Sequence, residues 1–193
     1  MKYLEDLFGL KEKTAVVSGG AGVIGIVMSQ ALANVGANVA IWSRSQASID
    51  KALSKMDLPS ERLIGLKVDT GNESEVFWAV KQTAATLGPP EILINAVGGN
   101  MDKSAFVDID LDKFEKILHL NLVAGLVVPT KIVAKFWIKE KIKGFPAHLD
   151  TRIHHPEGQI RNDRSRGNFP ECQNISAHSD FHSHKRQHLL TKK

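Results

Sequence analysis

The chain has 193 residues, 42% of them hydrophobic and 24% charged, with a formal net charge of +4, the size and balance of one soluble globular domain. No unbroken apolar run of about 18 residues occurs, so no membrane span is expected, Glu5 and Asp6 stand where a signal peptide would be apolar, and the charge is too small to argue for nucleic acid. The single cysteine, Cys172, excludes an internal disulfide and fits a reducing, cytoplasmic setting.

Lys13-Thr-Ala-Val-Val-Ser18 is a short β-rich run that stops at two glycines, and it predicts a buried strand. Residues 23–35 place apolar groups at helical spacing and end at Gly36, a helix C-cap signal. Ala37 to Trp42 predicts a second strand, and 46–56 a helix closed by Pro59. Leu63 to Val68 predicts a third strand. Ser74 to Leu87 reads as a helix opened by a Ser or Asn cap and stopped by Gly88-Pro89-Pro90. Glu91 to Asn95 predicts a fourth strand. Residues 110–142 form a long helical stretch, bent near Asn121 or Pro129.

Composition breaks after Lys143. All 15 valines precede it, and seven of the eight histidines follow it. The first part can build a core; the second shows no apolar period and cannot offset its ordering entropy. The expected organisation is therefore an ordered domain over 1–143 and a low-order His- and Arg-rich tail over 144–193. In the tail, His178 and His182 are four apart, as are His184 and His188, with Cys172, His154 and His155 as further ligand types. Helical periodicity is missing there, so a solvated tail is expected and no metal site is assigned.

Four alternations of strand and helix predict a parallel sheet with helices on both faces, because parallel strands require right-handed crossovers. Such sheets take ligands beyond the C-terminal strand ends, which here are Ser18–Gly25, Ser43–Arg44, Asp69–Thr70 and Asn95–Gly99. In the first of these, Gly20, Gly22 and Gly25 match G-x-G-x-x-G between a strand and a helix, the context in which backbone N–H groups meet a pyrophosphate. The fold class is thus a Rossmann-like doubly wound sheet, incomplete in this chain. Strand two ends Ile41-Trp-Ser-Arg-Ser45 without the acidic residue that would bind a ribose diol. Arg44 can meet a 2′-phosphate bidentately and Ser43 does not repel one, which favours NADP(H) over NAD(H).

The segments Ser18-Gly-Gly-Ala-Gly-Val-Ile-Gly25, Val68-Asp-Thr70, Leu93-Ile-Asn-Ala-Val-Gly-Gly-Asn100 and Phe114-Glu-Lys-Ile-Leu-His-Leu-Asn-Leu122 resemble the short-chain dehydrogenase/reductase family. The Gly-Gly-Asn after strand four is most similar to its fructuronate reductase, or D-mannonate oxidoreductase, branch. Ser18 and Val23 depart from the family's usual Thr and Gly, and Asn95-Ala-Val-Gly98 departs from Asn-Asn-Ala-Gly. The resemblance implies that Gly19, Gly22, Ile24 and Gly25 hold the pyrophosphate. Asp69 would accept from the adenine amine, Asn95 and Gly98 would line the ribose, and Asn121 would be the catalytic asparagine whose backbone holds a relay water. It implies a small-molecule substrate, a sugar acid or related hydroxy or keto compound, and a homo-oligomer formed through the 110–142 helix.

The family's proton transfer needs a tyrosine with a lysine four residues later, the ammonium lowering the phenol pKa. The only tyrosine is Tyr3, followed four later by Leu7, and no Tyr-x-x-x-Lys occurs. Strand five and its catalytic serine are expected just after Lys143, where Gly144-Phe-Pro-Ala-His-Leu-Asp150 stands instead. Asn174-Ile-Ser176 is a late and weak match to that strand end. A reading-frame shift near codon 143 accounts for the composition break and the missing motif together. Two functions stay open: an NADP(H)-dependent oxidoreductase with impaired chemistry, and a non-catalytic nucleotide-binding fragment.

Overall fold

The computed structural model describes residues 9–56, 58–100 and 104–148. The chain falls into two units, Met1–Thr151 and Arg152–Lys193. Tyr3, Cys172, Ser176 and the histidines from His154 onward lie outside the described residues.

The first unit is built in the order β1 (Thr14–Ser18), α1 (Val23–Asn34), β2 (Asn38–Ser43), α2 (Gln46–Leu53), β3 (Leu63–Lys67), α3 (Glu73–Leu87), β4 (Pro90–Asn95), α4 (Leu111–Leu118), a π-helical segment (His119–Val127), α5 (Val128–Glu140) and β5 (Phe145–His148). The strands form one sheet in the order β3-β2-β1-β4-β5, and every adjacent pair is parallel. β1 is central and buried along its whole length, as a strand covered on both faces should be.

Alternate strand residues feed two cores. Val16, Ala40, Trp42 and Leu93 face α3 and α5, where Val76, Val80, Val133 and Trp137 meet them. Ala15, Val17, Val39 and Ile41 face α1 and α2, against Ala33 and Ala52. Side chains alternate across a strand, so a Val-rich run sends branched groups to both layers. The helix caps agree with the sequence. Asn72 accepts from Ser74 N–H at 3.0 Å and Glu75 N–H at 3.3 Å to open α3, and Ser45 accepts from Ser48 N–H to open α2. Gly36 follows α1 with φ +104°.

One expectation is corrected. β5 exists: Phe145–His148 pairs with Ile92–Asn95 of β4 in parallel register, so the sheet continues past Lys143. The segment has no apolar alternation and carries Pro146, which is why sequence pattern misses it. Its pairing is supplied by the free edge of β4. Pro146 lacks an N–H and is tolerated at a sheet edge, which is where β5 lies.

The bend expected in the long helix is a π-helical stretch of nine residues containing Asn121. The whole run Leu111–Glu140 is long and apolar enough, by length and composition alone, to cross a membrane. Two successive stretches make it so. Val128, Ile132, Val133 and Trp137 pack onto the sheet, while Leu111, Phe114, Leu118 and Leu122 form an exposed stripe.

Across the α3–α5 contact, Lys131 Nζ donates to Glu73 Oε1 at 2.5 Å. That hydrogen bond lowers the Glu73 pKa from its ordinary value, opposed by desolvation and aided by the charges of Lys131 and Lys135. The folded pKa is depressed, so the contribution is present above the ordinary carboxylate range and lost as pH falls through the folded value. The pair is exposed and adds little stability. Lys131→Met is expected to return the Glu73 titration to the ordinary range in a carboxyl-detected NMR titration, with the melting temperature almost unmoved.

Candidate functional site

The C-terminal ends of β1, β2, β3 and β4 surround a cleft of about 310 Å³. It is lined by Gly19 and Gly22 after β1, by Trp42, Ser43, Arg44 and Ser45 at the end of β2, and by Val68 and Thr70 after β3. Ala96, Val97 and Gly98 after β4, with Leu120 of the π-helical segment, complete it. Among these residues Arg44 alone is charged, so the cleft presents a single positive group, bracketed by two hydroxyls.

The glycine loop is held by backbone bonds alone. Gly19 N–H donates to Trp42 O at 2.8 Å, Gly20 N–H to Val17 O at 3.1 Å and Gly22 N–H to Gly19 O at 2.9 Å. Gly19 sits at φ +73°, and a Cβ there would lie 2.7 Å from Ala96 O, so no side chain fits. A Cβ on Gly25 would overlap the Gly19 carbonyl oxygen. Gly25 is therefore required for the helix to start directly against the loop.

Gly22 is different. It is the N-cap of α1, no side chain caps that helix, and its first turn holds no acidic residue. A Cβ on Gly22 would meet only Gly19 O, at 3.2 Å. The first-turn N–H groups therefore lack a side-chain acceptor, and the helix dipole adds positive potential at that end. An anion such as a phosphate fits there without displacing any part of the chain.

The expected site residues divide into three groups. Gly19, Gly22, Ser43, Arg44 and Gly98 line the cleft. Gly20, Ile24, Gly25 and Asp69 surround it without lining it. Gly20 packs on Val17 and Ile41, Ile24 is half-exposed, and Asp69 accepts from Gly71 N–H at 2.9 Å while staying open to solvent. Asn95 is placed otherwise than a ligand-facing side chain requires, and the side chain of Asn121, whose expected role is a backbone one, is engaged with the chain itself. Asn95 is completely buried. Its Oδ1 accepts from Ser18 Oγ at 3.3 Å and its Nδ2 donates to Thr130 Oγ1 at 2.8 Å. It ties β1, β4 and α5 together, and the cleft wall expected of it is made by Ala96, Val97 and Gly98.

The Asn121 side chain grips the loop after β4. Its Oδ1 accepts from Gly99 N–H at 2.8 Å, and its Nδ2 donates to Gly99 O and to Ile117 O, each at 2.9 Å. Sequence reading missed Trp42, Ser45, Val68, Thr70, Ala96, Val97 and Leu120 as individual lining residues. Their common signal is position: each lies at or just past a strand's C-terminal end, or on the helix opposite those ends. The clusters of metal-ligating side chains that a metal centre would need are absent among the described residues.

Comparison with known proteins agrees with this geometry. The family model described as short chain dehydrogenase matches residues 13–144. The 2-dehydro-3-deoxy-D-gluconate 5-dehydrogenase of Formosa agariphila is 30% identical over 137 residues, covering 70% of this chain and 51% of that protein. The 3alpha-hydroxysteroid dehydrogenase of Mediterraneibacter gnavus is 29% identical over 117 residues, covering 60% and 46%. Among solved structures, a short chain dehydrogenase from Bacillus anthracis superposes with a TM-score of 0.67 at 24% identity, covering 72% of this chain and 57% of that one. An NAD-bound structure provisionally described as a D-mannonate oxidoreductase from Haemophilus influenza gives 0.60 at 23%, covering 69% and 53%. At those identities the superpositions speak for the fold. The chain spans about half the length of the curated relatives it matches. Since the family match runs from the start of β1 to the threshold of β5 and takes in every strand end around the cleft, the chain belongs to the short chain dehydrogenase family.

Proposed function

We propose that the cleft binds an NADP(H)-type dinucleotide, and that the chain derives from an oxidoreductase acting on a sugar acid or a related hydroxy or keto compound. The observation that carries the cofactor reading is the lining itself. Its only charged group is Arg44, set between Ser43 and Ser45, and no carboxylate lines the cleft to hold a ribose diol. Arg44 and the two serines meet a 2′-phosphate. Gly19, Gly22, Ile24 and Gly25 present the N-terminus of α1 to the pyrophosphate, Asp69 stands at the adenine rim, and Gly98 lies along the ribose. NAD(H) is the competing cofactor.

When bound, the nicotinamide supplies or accepts hydride; this chain's residues hold the dinucleotide and exclude water from its adenosine half. Asn121 is the residue that the family resemblance makes catalytic, through a relay water held by its backbone. The proton-transferring Tyr-x-x-x-Lys pair does not occur in these 193 residues, and general acid–base chemistry contributes about 10²–10⁴-fold to such reactions. The reading is therefore of cofactor binding with impaired turnover by this chain alone. The sugar-acid assignment draws on the Formosa agariphila relative, whose name specifies a deoxy-gluconate substrate. The composition break after Lys143 supports a reading-frame shift, and sequencing the gene through codon 143 in all frames tests it. The exposed stripe of Leu111, Phe114, Leu118 and Leu122 supports assembly of two copies through the 110–142 helix, in a cytoplasmic protein that uses neither nucleic acid nor membrane as a partner. A non-catalytic nucleotide-binding fragment is the second reading, favoured by the same missing pair.

Fluorescence titration with NADPH and NADH tests the cofactor reading. NADPH is expected to bind more tightly. Arg44→Ala should weaken NADPH by about tenfold, the low end for a charge-assisted contact because Arg44 is exposed, and leave NADH unchanged. Equal affinities that ignore the substitution would refute the preference. Turnover assays with a keto sugar acid then separate enzyme from fragment.

A further inference from the structure

Three residues of the cleft wall, Val97, Gly98 and Leu120, are set against one another by the π-helical segment His119–Val127. Asn121 and Gly125 lie four apart in it, on the same face. Asn121 binds both backbone groups of Gly99, and a Cβ on Gly98 would lie 2.7 Å from Asn121 Oδ1. Gly125 is buried. A Cβ there would lie 2.6 Å from Val97 O and 3.0 Å from Leu120 O. The β4 loop thus meets the helix backbone to backbone at Gly125 and through a side-chain clamp at Asn121. π-Helical insertions are rare and concentrate at functional sites, and here the insertion lies where helix and loop touch.

We infer that Gly125 and Asn121 act together as a positioning lock that sets the location of the Val97–Gly98 wall, and that Gly125 is a positioning residue for dinucleotide affinity. The inference rests on the dinucleotide reading of the cleft. Any side chain at 125 must displace the carbonyl of Val97 or of Leu120, and both residues belong to the wall. The lock stands on the β4 side of the cleft and Arg44 at the end of β2, and the contacts of Asn121 and Gly125 are with the β4 loop and the helix, so the lock governs the affinity shared by both dinucleotides and leaves the choice between them to Arg44.

The test compares the full chain with Gly125→Ala, Asn121→Ala and, as a control on the same segment, Leu122→Ala, whose side chain is half-exposed. Gly125→Ala is expected to raise the Kd for NADPH and NADH together by about tenfold or more, with their ratio unchanged. It should also accelerate hydrogen exchange at the Gly99 amide while the Val16 and Leu93 amides keep their protection, which a general loss of stability would not do. Asn121→Ala should give the same pattern, and Leu122→Ala should give neither effect. Wild-type affinity and wild-type Gly99 exchange in Gly125→Ala overturn the lock, as does a change in the NADPH to NADH ratio. If the unmodified chain binds neither dinucleotide, the cofactor reading falls, and Gly99 exchange in Gly125→Ala still decides the lock. Should Gly125→Ala fail to fold, affinity and exchange in Asn121→Ala decide it.

Discussion

Gly25→Ala is expected to abolish measurable dinucleotide binding and to lower the melting temperature, whereas Gly22→Ala abolishes binding at a smaller cost in stability. The two glycines stand three residues apart in one motif, and their surroundings differ. A methyl at 25 would overlap the Gly19 carbonyl oxygen and lie 2.8 Å from Gly20 Cα. Both obstacles are backbone, so the loop must move as a unit. Overpacking of this kind costs about 1–3 kcal/mol, and the displaced loop re-aims the N–H groups at the start of α1. A methyl at 22 meets only Gly19 O at 3.2 Å and otherwise occupies the space meant for the ligand. Exchanging Gly for Ala at an N-cap costs about 0.5–1 kcal/mol, less than the displacement of backbone at 25. Thermal unfolding and NADPH titration of the two variants check this. If Gly22→Ala binds normally, the pyrophosphate is not at that helix end. If Gly25→Ala keeps both stability and affinity, the close approach is not rigid.

That contrast shows what the sequence could and could not say. The G-x-G-x-x-G spacing between a strand and a helix located the loop, because glycine is needed wherever backbone meets backbone. Spacing alone does not reveal which glycine faces the ligand and which faces the helix, since both roles ask for a missing Cβ. The strands were legible because Val, Ile and Ala runs buried on both faces have no polar alternation to blur them. β5 was not, because Phe145–His148 carries no pattern of its own and is held by its neighbour. Arg44 was legible as a departure from the acidic residue expected at that strand end. Asn121 was legible as a position, through the Phe114–Leu122 segment. Its side-chain contact with Gly99 spans 22 residues of sequence and crosses from helix to loop, a pairing that no periodicity encodes. Asn95 misled for a related reason. A polar residue at a strand's C-terminal end points to a ligand only if its side chain turns outward, and the alternation of β4 turns this one inward.

Asn95→Leu is accordingly expected to lose stability first and binding only as a consequence. The side chain is completely buried. Its bonds reach Ser18 on β1 and Thr130 on α5; Ser18 is fully buried and Thr130 half-buried. Leucine has nearly the same volume and no polar atoms. The substitution therefore leaves Thr130 without its donor, and Ser18 with only a long 3.4 Å contact to Ile94 O. A buried polar group stripped of its partner costs about 1–3 kcal/mol; with Thr130 half-buried, about 2 kcal/mol is expected in all, still a sizeable share of the stability of a domain this size. The asymmetry of buried hydrogen bonds adds a sharper expectation. Replacing all three partners by apolar groups of similar shape, as in Ser18→Ala with Asn95→Leu and Thr130→Val, should recover most of the loss, because no orphaned group remains. Urea midpoints for the single and triple variants measure this as a non-additive cycle. An Asn95→Leu variant within about 0.5 kcal/mol of the parent that nevertheless failed to bind NADPH would mean that Asn95 does face the ribose. Stability lost in the single variant and regained in the triple one, with binding following stability in both, would mean that Asn95 fixes the sheet edge from which the cleft wall springs.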